Sequence, residues 1–297
     1  MDETHILPGI SKVMVTGSTG FIGQHLVARL EALGKTTVRP SQRDGYDLMQ
    51  DTLPFDGVGH VFHLAARTGV MSAWEAPVDF LQINTLGTAR ILEQCRKHGC
   101  GLTYISSYVY STKSEQVPIG EDHPTAANNP YALSKLLAQQ ICAFYSDNYA
   151  LPTTILRPFN VYGPGQSRDF LIPFILNQLL DASCGMVRVA DLAPARDFIY
   201  VSDVVDGILQ STAAEPGSIF NLGSGEVYSV EEIIRLAMMV SGIRKPYTDS
   251  GHRRSNEIAS PIADSSKLRR AVGWFPRVSL EVGLRRSIES ITSRCKA

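Results

Sequence analysis

Residues 12–34 read KVMVTGSTGFIGQHLVARLEALG, a short apolar run, three glycines three apart, and a helical pattern closed by Gly34. An apolar run that does not alternate with polar residues suits a strand covered on both faces, and such strands belong to parallel sheets flanked by helices. The same unit recurs. "TTVRP" (36–40), "VGHVFHLAA" (58–66), "LTYISS" (102–107) and "PTTILRPFN" (152–160) read as further strands. A long helical pattern from Pro77 to His98 ends at Gly99, where a left-handed residue is favoured. Another begins at Pro130, with Asn128 and Asn129 as N-cap candidates. The expected fold is therefore α/β, a Rossmann-type doubly wound parallel sheet. "RDFIYVSDVVDGILQS" (196–211) reads as one more strand and helix returning to that sheet. After Gly163 prolines and glycines break the chain into shorter elements, with helical patterns in "SVEEIIRLAMMVSG" and "SLEVGLRRSIESI". We expect residues 9–162 and 197–213 to form the dinucleotide-binding unit, and residues 163–196 and 214–297 a smaller, mainly C-terminal lobe.

Gly17, Gly20 and Gly23 fall between the first strand and the first helix. Glycines there permit a tight turn and close backbone approach, and the helix start offers free amides and a positive dipole end to a pyrophosphate. Tyr131 and Lys135 lie one turn apart on one helix face. A cation beside a phenol favours its ionised form, so such a tyrosine could exchange a proton with an alcohol near neutral pH. With 28 basic and 29 acidic residues the chain has no electrostatic footprint for nucleic acid or for an acidic membrane surface. The five cysteines are scattered without metal-ligand spacing, which fits reduced thiols in a cytoplasm, and no metal is expected. The opening "MDETHILPGISK" lacks the apolar stretch of a secretory signal. The most apolar later run, "DFLIPFILNQLL", is too short to span a bilayer.

Taken together, these motifs resemble the extended short-chain dehydrogenase/reductase family, the nucleotide-sugar epimerases, dehydratases and reductases. The resemblance runs over nearly the whole chain: the glycines at 17–23, "HLAAR" (63–67), "INTLGT" (83–88), "ISSYVYS" (105–111), "YALSK" (131–135), "RPFNVYGPG" (157–165), "RDFIYVSDV" (196–204) and "RRSNEIASPIADSSKLRRAVGW" (253–274). It implies that Tyr131 is the general acid/base, and that Lys135 binds the nicotinamide ribose and lowers the tyrosine pKa. A hydroxyl at the end of the fourth principal strand would bond the reacting oxygen. Aligning "YVYS" with the family's "xVYG" selects Ser106, with Ser107 as runner-up if strand ends are aligned instead. The implied cofactor set is Gly17, Thr19, Gly20, Phe21, Ile22, Gly23, Arg39, Ser41, Arg43, Asp47, Leu48, Leu64, Ala65, Ala66, Asn84, Tyr131, Lys135 and Pro158. The implied substrate set is Ser107, Asn160, Arg196 and Arg254, the arginines clamping a diphosphate through their two-pronged guanidinium groups. Arg253 could replace Arg254, and Ala190 and Leu192 stand where the family usually has glycine.

NAD-preferring members usually carry an acid after the second strand, for the ribose hydroxyls. Here "VRPSQRD" offers Arg39, Ser41 and Arg43 before Asp44, so NADP(H) is favoured over NAD(H). The family's dehydratases place Asp-Glu after the catalytic Thr, and its 3,5-epimerising reductases place a cysteine two residues on. This chain has Ser107 and Tyr108. The resemblance then leaves hydride transfer at one carbinol carbon of a nucleotide-diphosphate sugar. A 4-ketoreductase acting on a 4-keto-6-deoxyhexose is favoured, with a 4-epimerase as the alternative and a non-catalytic NADP(H)-binding regulator as a remote third. By the same resemblance, the helices near 77–98 and 130–149 are expected to build a homodimer.

Overall fold

The computed structural model describes residues 6–41, 45–49, 53–111, 118–251 and 261–294. Numbered along the chain, the first half contains β1 (Lys12–Thr16), α1 (Phe21–Ala32), β2 (Thr36–Val38), β3 (His60–His63), α2 (Val70–Glu75), α3 (Pro77–Phe80), a π-helical turn (Leu81–Leu86), α4 (Gly87–His98), β4 (Gly101–Ile105), α5 (Pro130–Tyr149) and β5 (Thr153–Pro158). The second contains β6 (Asn160–Tyr162), α6 (Leu171–Leu180), β7 (Val187–Val189), β8 (Ala195–Tyr200), α7 (Val201–Gln210), β9 (Ser218–Leu222), β10 (Val227–Ser229), α8 (Val230–Ser241), β11 (Tyr247–Asp249), α9 (Ser266–Val272) and α10 (Leu280–Arg294).

Local chemistry sets several of these boundaries. Asn129 Oδ1 accepts the Ala132 amide at 2.8 Å, and Pro130 fills the first position of α5. Gly99 ends α4 at φ +66°. Ser229 and Glu232 form a reciprocal capping box on α8.

Six parallel strands make the main sheet in the order β2-β1-β3-β4-β5-β9. Both faces are covered, as β1 demonstrates. Val13 and Val15 pack into the cluster holding Leu26 and Leu30 of α1 and Val204 and Ile208 of α7. Met14, between them, packs with Ile91, Leu92 and Ala138 on the α4–α5 side. β2 and β3 flank β1 on opposite sides, so the strand order reverses at β1. Ligands of such sheets bind at the carboxyl ends of strands at that reversal.

One strand assignment needs correcting. α7 returns to the main sheet, but β8 does not. It pairs with β6 and β10 in a separate three-stranded sheet. The free edge of β5 is taken by β9, from Thr154 beside Ser218 to Pro158 beside Leu222. The main sheet is thus completed by a strand from 214–297, the stretch expected in the lobe, while the residues of β8 from 197 onward leave it. Asp197, within β8, shows why that strand is held elsewhere: its carboxylate accepts the amides of Ser224, Gly225 and Ala263 at 2.7, 2.9 and 3.1 Å. Asp203 of α7 likewise accepts the Arg277 and Val278 amides at 3.0 and 2.9 Å. A third core joins Ile172 and Leu176 of α6 to Ile233 and Ile234 of α8 and Leu284 of α10.

Among the described residues no helix is long and apolar enough to cross a membrane, and no group of three metal-binding side chains occurs.

Candidate active site

The glycine loop stands where the strand order reverses. Gly17 has φ +72°, and a Cβ there would meet the Ala65 nitrogen at 2.6 Å and the Leu64 carbonyl carbon at 2.8 Å. A Cβ on Gly23 would strike the Gly17 carbonyl oxygen. The Gly20 amide bonds that same oxygen at 3.0 Å, and no side chain caps α1. The first-turn amides, including those of Phe21 and Ile22, therefore head a cradle that any side chain would fill, which is the fit a pyrophosphate requires. Thr19 lies within the loop, its carbonyl accepting from Gln24 at 2.8 Å. Leu64 and Ala65 close the other wall: the Leu64 amide bonds the Thr16 carbonyl at 3.1 Å and the Ala65 amide the Thr16 hydroxyl at 3.3 Å. Ala66 follows them directly.

Past β2, Arg39 is already engaged. It donates to Thr37 Oγ1 at 2.8 Å and pairs with Glu31 of α1. The Ser41 carbonyl accepts the Tyr46 amide at 3.0 Å, Asp47 Oδ1 accepts the Met49 amide at 2.8 Å, and Leu48 packs against the α4 side of the core. Arg43, like Arg253 and Arg254, lies outside the described residues.

Tyr131 and Lys135 lie on one face of α5, as their spacing requires, yet they are set up differently from the expectation. Lys135 is only 3% exposed; its Nζ donates to the Ile105 carbonyl at 2.7 Å and sits 4.7 Å from the centre of the Tyr104 ring. Burial pushes its pKa down to about 7. The Tyr131 phenol, edge-on to Phe80 at 6.3 Å, has a raised pKa: burial raises it, the Ser107 hydroxyl partly offsets this, and the Tyr108 phenol adds to it. The lysine therefore does not depress the tyrosine pKa in this structure, because its ammonium is committed to the end of β4.

The two serines after β4 part company. Ser106 is 4% exposed and its hydroxyl takes a 2.6 Å bond from Gln139 Nε2. Ser107 is half-buried and is the hydroxyl that acts on Tyr131. The two hydroxyls thus have different partners, the runner-up Ser107 facing the Tyr131 phenol and Ser106 the Gln139 amide.

Several supporting residues carry no role in the sequence reading. Gln139 extends the Tyr131–Lys135 face by another turn, and its Oε1 accepts from Arg157 Nε at 2.9 Å. Arg157, 5% exposed, also donates to the Tyr110 hydroxyl at 3.0 Å and the Glu121 carbonyl at 3.1 Å. His63 is fully buried between the hydroxyls of Thr16 and Thr88, at 2.7 and 3.0 Å, and burial drops its pKa to about 3, so it is neutral. Spacing could have found Gln139, at i+8 from Tyr131; the buried "H" of "HLAAR" was the only signal for His63.

Asn84, in the π turn, accepts the Arg67 amide at 2.8 Å and donates to the Arg67 carbonyl and the Ser134 hydroxyl at 3.0 and 2.9 Å. It thereby ties the loop after β3 to α5. Pro158 ends β5, paired beside Leu222. On the small sheet Asn160 Nδ2 donates to the Asp197 carbonyl at 3.0 Å, and its Oδ1 faces the Tyr108 hydroxyl at 3.4 Å. Arg196, half-buried on β8, bonds the Ala195 carbonyl at 2.7 Å.

A glycine-cradled helix start at the reversal of a parallel sheet, with a Ser–Tyr–Lys group at the ends of β4 and α5, defines an NAD(P)-dependent enzyme of the extended short-chain dehydrogenase/reductase class. Residues 13–223 match the NAD dependent epimerase/dehydratase family, and the chain belongs to that family. Its relatives include the GDP-6-deoxy-D-mannose reductase of Pseudomonas aeruginosa, 30% identical over 96% of this chain and 98% of the relative. The solved structure of RMD from Pseudomonas aeruginosa complexed with NADPH superimposes with a TM-score of 0.85 at 31% identity, covering 96% of this chain and 99% of that one. The UDP-glucose 4-epimerase of Thermus thermophilus complexed with NAD gives a TM-score of 0.83 at 26% identity, with 95% and 99% covered.

Proposed function

We propose that this chain is a 4-ketoreductase of a nucleotide-linked 4-keto-6-deoxyhexose, using NADP(H). The observation that carries the reading is the Ser107–Tyr131 pair at the end of β4, followed by Tyr108 where elimination chemistry would need a carboxylate. Two hydroxyls meeting at one point suit a single carbonyl oxygen: Ser107 holds it and Tyr131 protonates it. A phenol whose pKa is raised is protonated at neutral pH, which is the form that can donate to a carbonyl being reduced. The cofactor, when bound, supplies the hydride. Gly17, Gly20, Gly23 and the first turn of α1 would hold its pyrophosphate, and Lys135 its nicotinamide ribose. Asn160 and Arg196 would meet the sugar diphosphate. The likeness to a GDP-6-deoxy-D-mannose reductase and to an NADPH complex supports this choice of reaction and cofactor. The likeness to UDP-glucose 4-epimerases supports a second reading, in which the same pair runs the hydride out and back. Supplying 4-keto-6-deoxy sugars linked to GDP, dTDP, UDP and CDP with NADPH is expected to give loss of nicotinamide absorbance with at least one. Conversion of UDP-glucose to UDP-galactose with no net cofactor consumption would favour the epimerase.

We also infer a homodimer through the α4–α5 side of the molecule. Leu86, Leu133, Phe144 and Tyr149 are 48%, 40%, 53% and 51% exposed there, more apolar surface than a solvated helix pair needs. Light scattering at micromolar concentration is expected to give twice the chain mass; the mass of a single chain would refute it.

A further inference from the structure

We propose that Tyr108 is a substrate-recognition residue, donating a hydrogen bond to the sugar hydroxyl on the carbon next to the reacting carbonyl. The proposal rests on the ketoreductase reading and adds to it a side chain that decides which sugars are accepted.

Burial separates the residues after β4 into two sets. Ser106, Val109 and Tyr110 are buried in the protein, whereas Ser107 and Tyr108 are half-buried, as are Tyr131 and Asn160. The half-buried set is polar and mutually close. Ser107 and Tyr108 both act on the Tyr131 phenol, and the Tyr108 hydroxyl is 3.4 Å from Asn160 Oδ1. The Tyr108 ring is fixed by Phe159, on which it stacks with centres 4.7 Å apart and planes 13° from parallel. Asn160 is fixed in turn, since its Nδ2 donates to the Asp197 carbonyl at 3.0 Å.

Two consequences follow from that geometry. The phenol at position 108 is held by its stacking on Phe159 between Tyr131, the proposed proton donor, and Asn160, the residue proposed to meet the sugar diphosphate, so a hexose joining those two would pass it. Its bond to Asn160 Oδ1 is at the long end of hydrogen bonding, and a sugar hydroxyl offers a closer acceptor. In a 4-keto-6-deoxyhexose only one neighbour of the carbonyl carbon bears a hydroxyl, C3, because C5 carries the ring oxygen and the methyl group. Tyr108 is therefore assigned to the C3 hydroxyl.

The test pairs a deletion in the enzyme with a deletion in the substrate. Native protein and Tyr108→Phe, which keeps the stacked ring, are compared with NADPH on a nucleotide 4-keto-6-deoxyhexose and on its 3-deoxy counterpart. Loss of one hydrogen bond to a hydroxyl predicts a fall of about tenfold in kcat/KM for Y108F on the hydroxylated sugar, carried mainly by KM. On the 3-deoxy sugar the two proteins are expected to match. Equal losses on both sugars, or none on either, would overturn the assignment while the native activity upholds the ketoreductase reading. A native protein that turns over neither sugar overturns that reading and the assignment with it. Retained NADPH binding by Y108F shows that the variant is folded.

Discussion

Tyr131→Phe is expected to reduce turnover by roughly 10²–10⁴-fold, the usual scale for losing a positioned proton donor, while NADPH binding stays unchanged. In the proposed mechanism the phenol hands the proton to the carbonyl oxygen being reduced, whereas the proposed pyrophosphate cradle is built from Gly17, Gly20 and Gly23, outside α5. Ser107→Ala should cost turnover on a similar scale, about 10²–10³-fold, because Ser107 is the hydroxyl beside Tyr131 and is proposed to act with it at the reacting oxygen. Ser106→Ala should act differently. Its hydroxyl serves the buried Gln139 amide, so the loss should appear as about 1–3 kcal/mol of stability, the cost of an unpaired buried group. Turnover and thermal melts of the three variants separate these roles. Greater loss of turnover in Ser106→Ala than in Ser107→Ala would make Ser106 the catalytic hydroxyl, as the alignment through Val109 has it.

Lys135→Met should make the protein more stable and less able to bind cofactor. The amine is 3% exposed with a pKa near 7, against about 10.4 in an unfolded chain. The folded state thus holds fewer protons than the unfolded state between those two values. Wild-type stability must then rise with pH across that window, and the burden of the buried ammonium is complete below about pH 7. Methionine removes that burden but leaves the Ile105 carbonyl without its donor. The net gain should be on the order of 2–3 kcal/mol near pH 7, or about 5 °C in Tm, and should turn into a small net loss near pH 10, where only the unpaired carbonyl is left. NADPH affinity should fall, since the ribose loses its partner. A variant that melts earlier than wild type at pH 7 would mean that Lys135 is not a strained buried amine.

What the sequence conveyed and what it hid divide along the range of the interaction. The glycine loop, the Asn129 cap and the Gly99 terminus were legible because each is settled by backbone conformation within a few residues. The choice between "RDFIY" and "SIFNL" as the strand beside β5 was not. Both are short, and the first is held in the smaller sheet by long-range contacts, its ladders with β6 and β10 and the bonds of Asp197. The choice between Ser106 and Ser107 was hidden for a related reason: which hydroxyl faces Tyr131 and which faces Gln139 depends on contacts with α5, 24 or more residues away, that an alignment of one short stretch does not carry. Spacing correctly put Tyr131 and Lys135 on one face but could not say where a flexible four-carbon stem ends, and here it ends on the Ile105 carbonyl. Gln139 was open to the same periodicity argument, since it repeats the i+4 step, and Arg157 was marked as a charge within an apolar strand.

Labelling the transferable hydrogen decides the central point, that one hydride passes from an exchangeable cofactor to C4. NADPH carrying deuterium at the transferred position of nicotinamide C4 would be supplied with the accepted nucleotide 4-keto-6-deoxyhexose, and the product analysed by mass and by NMR at C4. A ketoreductase gives one deuterium per product at C4 and oxidises one NADPH to NADP+ for each. Product carrying no label, or interconversion of 4-hydroxy epimers without cofactor consumption, would contradict it.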